Sequence, residues 1–374
     1  MEDWIDLRTQ VQKTIDSLVG SGREVGVQIA AYLDGRLIVN AVSGLADAST
    51  GNKVTPDTPF HSFCTAGKAL TSACVHVLAE QGKIDYDLRI ADVWPEYARH
   101  GKGGTTLRHV LTHSAGVPQL PSYTMPEDFL DWDRMCRTIA MSAPLWEPGT
   151  QQGYHAWTYG WLVGETVRRA TGRALSWVLS EDIARPLHAE RELFFGVPDK
   201  IPLSHLARLT DRNWSASLDT LSENLPNFEK IAPAGVRPEA TLANRRDILR
   251  TDIPASGTAS AKGLARMYAA LMGEVDGVRL ISAERLRQIT GVATHGPDWS
   301  FGGDFPKALG YGLDVDGRRC GWAGMGGSLA GMYPELNLSV ACLKNHLGTN
   351  DGDPMEGVAE LIRSTVANTP VTTG

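Results

Sequence analysis

Apolar positions recur every three to four residues from residue 3 to 19, where Trp4, Leu7, Val11, Ile15, Leu18 and Val19 form one stripe. That spacing predicts a helix, and Gly20-Ser21-Gly22 stops it. The period then drops to two. Val25, Val27, Ile29, Ala31 and Leu33 alternate, Asp34-Gly35 supplies a tight turn, and residues 36–42 return as the second arm of a hairpin. Helical spacing resumes at Leu70, Ala73, Cys74, Val77 and Leu78, an amphipathic pattern with Gly82 at its C-cap. The far end of the chain mirrors the near one. Residues 311–315 run into Asp316-Gly317, strand-like runs follow at 319–322, 328–333 and 338–343, and Asp353-Pro354 opens a last helix with Val358, Leu361 and Ile362 on one face.

Strands at both ends, with helices and loops between, predict one sheet assembled from the two termini. Residues 1–80 together with 255–374 are expected to form a sheet-containing α/β part, and 81–254 a mainly helical insertion. The stretch 203–255 is polar and interrupted by prolines, and reads as a long excursion at the mouth of a site.

Composition narrows the function classes. The 374 residues suffice for a substantial core, and 42% hydrophobic with 21% charged residues is a globular balance. A net charge of −7 argues against nucleic acid as the main partner. The five cysteines, 64, 74, 136, 320 and 342, show no C-x-x-C spacing and read as free thiols, without a disulfide framework or zinc site. The acidic start, Met1-Glu2-Asp3-Trp4-Ile5-Asp6, is followed by no apolar run of signal or membrane-spanning length, so no membrane partner and a cytoplasmic location are expected. No H-E-x-x-H, Walker or G-x-G-x-x-G pattern is placed to work, so neither a metal nor another cofactor is expected.

The candidate chemistry lies at Cys64-Thr65-Ala66-Gly67-Lys68, where a hydroxyl and an amine stand three residues apart on one helical turn. A hydroxyl is a poor nucleophile at neutral pH and needs a base within about 3 Å, which a desolvated lysine can supply. Cys64 lies four residues from Lys68, shares nearly the same face, and carries a stronger nucleophile once ionised.

Several segments in order carry a resemblance: 60–87 around that pentapeptide, Thr106 to Pro118 (TLRHVLTHSAGVP), Glu147-Pro148-Gly149, Gly153-Tyr154-His155-Ala156, 160–172, and Gly321 to Ser328 (GWAGMGGS). Together they resemble the serine β-lactamase-like and penicillin-binding-protein-like hydrolases, including esterases and transacylases related to class C β-lactamases. The resemblance implies an antiparallel sheet flanked by helices plus a helical insertion, with the active site at their junction. Aligning Lys68 with the family's S-x-x-K lysine puts Thr65 where the family has serine. Threonine's methyl group stiffens χ1 and crowds a carbonyl, so a slower or more selective enzyme is expected.

Further roles follow from the same resemblance. Tyr154 matches the tyrosine of Y-x-N and would pass a proton to the leaving group, while Ala156 replaces the asparagine that holds lactam amides. Trp322-Ala323-Gly324 replaces K-T-G, so the lysine that grips a substrate carboxylate is missing. Trp322 and Gly324 are then expected at the substrate, with His155 supporting the adjoining loop as part of that binding set. The backbone N–H groups of Thr65 and Met325 would form the oxyanion hole. The implied partner is a small acyl ester or amide, with water, an amine or an alcohol as acceptor, and β-lactams as poor substrates. The competing expectation is an inactive relative that binds a ligand or another protein.

Overall fold

The computed structural model describes residues 4–211, 213–225, 227–314, 316–324, 326–348 and 354–369. Helix α1 (Ile5–Gly20) leads into β1 (Gly26–Leu33) and β2 (Arg36–Asp47), joined at Asp34-Gly35, and then into the short edge strand β3 (Asn52–Lys53). Asp34 and Gly35 both adopt positive φ, 48° and 73°, which gives a two-residue turn the twist a hairpin needs. The remaining strands come from the other end of the chain: β4 (Gly312–Leu313), β5 (Cys320–Ala323), β6 (Leu329–Tyr333) and β7 (Leu338–Lys344). The seven form one antiparallel sheet in the order β3-β2-β1-β7-β6-β5-β4, with the two termini zipped together where Ile29 faces Cys342 and Ala30 faces Ala341.

Strands β1 and β7 are buried on both faces, which the simple alternation in β1 did not anticipate. Val27, Ile29 and Ala31 pack with Val11 and Ile15 of α1 and with Val358 and Ile362 of the last helix, α5 (Pro354–Asn368). Ala30 and Tyr32 belong to the larger core on the opposite face, against α4 (Ala261–Met272). Gln28 is buried there too. Its amide nitrogen donates to the Thr55 carbonyl at 2.7 Å and its oxygen accepts from the Ala261 N–H, the first residue of α4, so a polar side chain in the core is satisfied at both ends.

Along the chain between these two groups of strands come α2 (Thr65–Glu80) and α3 (Thr158–Thr171) with shorter helices. A second, three-stranded sheet joins Phe60–Ser62, Gly257–Ala259 and Leu193–Phe194. The strand expected over 311–315 is shorter, Gly312–Leu313, and Val315 and Asp353 lie outside the described residues. Among the described residues no helix is long and apolar enough to cross a membrane.

Helix α2 corrects one expectation. It is not amphipathic: every residue from Thr65 to Ala79 is buried. Its polar side chains are spent on internal bonds, Thr71 to the Pro254 carbonyl at 2.7 Å, Ser72 to the Gly310 carbonyl at 2.6 Å and the Tyr159 hydroxyl at 2.8 Å, and His76 Nδ1 with the Tyr86 hydroxyl at 2.9 Å. A helix enclosed on all sides can carry polar residues only where each finds a partner.

Candidate active site

The strand Phe60–Ser62 delivers the chain to the start of α2, where Cys64 is the N-cap residue and Thr65 the first helical one. The Ser62 hydroxyl accepts from the Ala66 N–H at 2.9 Å, which satisfies one of the orphan donors of the first turn. Gly67 lets that turn lie directly on the neighbouring strand. A Cβ there would come within 2.4–2.6 Å of Ser256 backbone atoms. The first turn is therefore seated against backbone, and side chains at 64, 65 and 68 are aimed by that contact.

Cys64 and Thr65 border a cavity of about 60 Å³, and Lys68 is not among the residues that line it. Cys64, Thr65, Tyr154, Gly324 and Ser328 line it together with the apolar side chains of Phe63, Trp157, Trp214, Phe228 and Ile231. Much of that apolar lining comes from 203–255, where the helix Trp214–Asn224 and the turn Phe228–Ile231 fold over the start of α2.

Lys68 is fully buried, with its Nζ donating to the Ala156 carbonyl at 2.7 Å and lying 4.6 Å from the centre of the Tyr154 ring. Where the family asparagine would offer a side chain, this chain offers that backbone oxygen. Burial pulls the Lys68 pKa down to about 8, because desolvation penalises the ammonium more than its neighbours stabilise it. Burial holds the Tyr154 phenol well above its ordinary value, so it stays protonated, and its hydroxyl donates to Cys64 Sγ at 2.8 Å. The Cys64 thiol is also raised, chiefly by burial and against the pull of Lys68 and Tyr154. Thr65 is fully buried and its hydroxyl donates to the Ser328 carbonyl at 2.8 Å. Gly324 makes room for it, since a Cβ at 324 would lie 2.7 Å from Thr65 Oγ1.

Two residues expected at the substrate do not reach the cavity. The Trp322 side chain is buried behind Tyr154, with ring centres 5.9 Å apart, and its indole N–H is spent on the Gly310 carbonyl at 3.0 Å. His155 is fully buried, with Nδ1 against the Gly153 carbonyl at 2.6 Å and Nε2 accepting from the Val117 N–H at 3.2 Å. The loop-supporting half of its expected role fits this geometry, and the substrate-contacting half does not. Met325 lies outside the described residues, so only the Thr65 half of the expected oxyanion hole is described.

The structure also brings in groups to which the sequence had assigned no role at the site. Asp298 Oδ1 accepts from the Tyr154 N–H at 3.1 Å and the Ser300 N–H at 2.9 Å, while Ser300 Oγ donates to the Tyr154 carbonyl at 3.0 Å. Lys307 Nζ donates to the other Asp298 oxygen at 2.8 Å and to Gln152 Oε1 at 3.0 Å, and both charged side chains are fully buried. His113 Nδ1 accepts from the His155 N–H at 3.0 Å and its ring stacks on Tyr159. Burial holds His113 well below its ordinary pKa, so it is a neutral spacer behind Tyr154. Asp298 lies 144 residues from Tyr154, and no local signal could have paired them.

An antiparallel sheet built from both termini, with a lysine and a tyrosine converging on the start of a buried helix, is the architecture of the β-lactamase and penicillin-binding-protein class. The beta-lactamase family model matches residues 11–363, and the chain belongs to that family. It is 30% identical to the esterase/beta-lactamase LipL of Mycobacterium tuberculosis over 377 residues, covering 96% of this chain and 86% of that protein. Among solved structures it is similar to a family VIII carboxylesterase, with TM-score 0.84, 28% identity and 96% of each chain covered. A penicillin-binding protein homolog from Caulobacter crescentus matches with TM-score 0.84 and 29% identity, over 97% of this chain and 98% of that one. The chain is thus an enzyme of the β-lactamase-fold hydrolases.

Proposed function

We propose that this enzyme takes an acyl group from a small ester or amide onto the first turn of α2 and passes it to water, an amine or an alcohol. The observation that carries this reading is the convergence of a lysine able to hold a free amine with a protonated phenol beside an apolar cavity. Lys68 is the base that frees the nucleophile, and the Tyr154 hydroxyl returns the proton to the leaving group. Alignment on Lys68 puts Thr65 at the family's nucleophile position, next to the thiol of Cys64, and the Thr65 N–H at the helix start suits developing negative charge. Both the buried lysine and the phenol it faces count against a purely ligand-binding relative, which needs neither.

The cavity favours short acyl groups. At about 10–15 Å³ per water-sized site, 60 Å³ holds roughly four to six such sites, which suits an acyl chain of a few carbons. No cation is presented from position 322, and Lys344, which also borders the cavity, is committed to Glu24 at 2.7 Å with both side chains fully buried. A substrate carboxylate therefore finds no free lysine there, and β-lactams of the penicillin type should turn over poorly. The deciding experiment compares p-nitrophenyl acetate and butyrate with a chromogenic cephalosporin. Ester turnover well above cephalosporin turnover is expected; efficient cephalosporin hydrolysis without ester turnover would sink the reading.

A further inference from the structure

We propose that the acyl group is carried by the Cys64 sulfur, as a thioester, and not by the Thr65 hydroxyl. This deepens the acyl-enzyme reading and rests on it. The two side chains are neighbours on the first turn, yet the fold treats them differently. Thr65 borders the same cavity but is fully buried, and its hydroxyl proton is engaged by the Ser328 carbonyl at 2.8 Å in a space that Gly324 leaves open. Cys64 keeps 8% exposure on the cavity wall, and the Tyr154 hydroxyl points at its sulfur from 2.8 Å. Lys68 lies in the first turn of the helix that Cys64 caps, and its backbone N–H donates to the Cys64 carbonyl at 3.0 Å. The group that must lose a proton and later be protonated again is the one that the tyrosine touches, and that group is the sulfur.

The chemistry balances without any further reactant. The Lys68 amine takes the thiol proton, directly or through the Tyr154 hydroxyl, as Cys64 Sγ forms a bond to the acyl carbon and the carbonyl π electrons move to oxygen. Collapse of that oxyanion breaks the bond to the alkoxide or amine, which leaves with the proton that Lys68 returns through Tyr154. The thioester is then attacked by water or another acceptor while Lys68 takes the acceptor's proton, and collapse of the resulting oxyanion breaks the C–S bond as Lys68 returns that proton through Tyr154 to the sulfur, which departs as the thiol. Because the resting sulfur is a buried thiol, its deprotonation accompanies the attack, which is why a base one turn away is needed.

The test uses the full chain and p-nitrophenyl butyrate, with acid quench, digestion and fragment-ion mapping that separates residue 64 from residue 65. The expected result is one butyryl group on Cys64, removed by neutral hydroxylamine as a thioester is. Cys64→Ala should release p-nitrophenol at least about 100-fold more slowly, with an unchanged melting temperature. Thr65→Val should still be acylated on Cys64. A butyryl group on Thr65 that resists neutral hydroxylamine and persists in Cys64→Ala overturns the proposal. Should Cys64→Ala fold poorly, butyrate ester must still protect wild-type Cys64 from iodoacetamide, and absence of protection overturns it equally. A wild-type protein that takes no acyl group and releases no p-nitrophenol defeats the acyl-enzyme reading itself, and this proposal with it.

Discussion

Two fully buried lysines meet the Tyr154 segment, and their surroundings differ in one respect. Lys307 faces a carboxylate, Asp298, and through it grips the Tyr154 backbone. Lys68 lies over the ring of the same tyrosine, and its hydrogen-bond partner is a neutral carbonyl, Ala156. Burial lowers both, but at Lys307 the charge of Asp298 pushes back, whereas Lys68 descends to about 8. The difference teaches how one depth of burial serves two ends. A paired ammonium is a permanent strut, and one without a carboxylate is poised to give up its proton near neutral pH.

The comparison breaks first at Lys68. Replacing it with Met should lower kcat for p-nitrophenyl butyrate by about 10²–10⁴-fold with little change in KM, since a proton carrier acts in the transition state. The same variant should melt no lower than wild type, because an unpaired amine leaves the interior. A large loss of stability with only a small loss of kcat would make Lys68 a strut after all.

Asp298→Ala should do the opposite, because it strands a buried ammonium at a cost of about 3–5 kcal/mol by urea titration. Asp298→Ala combined with Lys307→Met should recover most of that loss. If the double variant is no more stable than the single, the pair matters through Tyr154 positioning and not through charge compensation.

The pH profile sharpens the contrast further. A group with pKa about 8 is deprotonated above that value, so kcat/KM should rise with pH and level off beyond it. Between pH 6 and pH 8 the free-amine fraction grows about fifty-fold, and the rate should follow. A flat profile across that range would remove Lys68 as the base. Acyl length should give the smallest effect. Octanoyl esters are expected to lose about 10-fold in kcat/KM against butyryl ones, and equal rates would mean that the wall of Trp214 and Phe228 yields.

Much of the frame was legible beforehand because it is local. The Asp34-Gly35 turn, the stop after α1, and the strand runs at the far end follow from periodicity and turn chemistry and appear within a residue or two of where the pattern puts them, whereas the returning hairpin arm expected over 36–42 runs on to Asp47. Gly82 indeed sits in left-handed conformation just past α2, and the Lys83 N–H closes back on the Leu78 carbonyl at 2.9 Å. The apolar stripe of α2 hid its true setting. Its Thr, Ser and His residues looked like a solvent face, and only partners 10 to 238 residues away make them interior. Trp322 illustrates the same gap. Its place in the chain was matched to the family lysine, but the direction of a large side chain depends on what is packed around it, here His113, Tyr154 and Phe305.

By itself the sequence determined that Cys64, Thr65 and Lys68 share one helical turn, for 3.6 residues per turn brings both the third and the fourth preceding residue close to a lysine. Which of the two candidate nucleophiles meets the tyrosine was beyond it. That choice depends on a segment 90 residues away, anchored by an aspartate another 144 residues on, and on the Ser328 carbonyl that engages the Thr65 hydroxyl. Helical periodicity leaves the two positions nearly equivalent, and only the packing of distant backbone against that turn tells them apart.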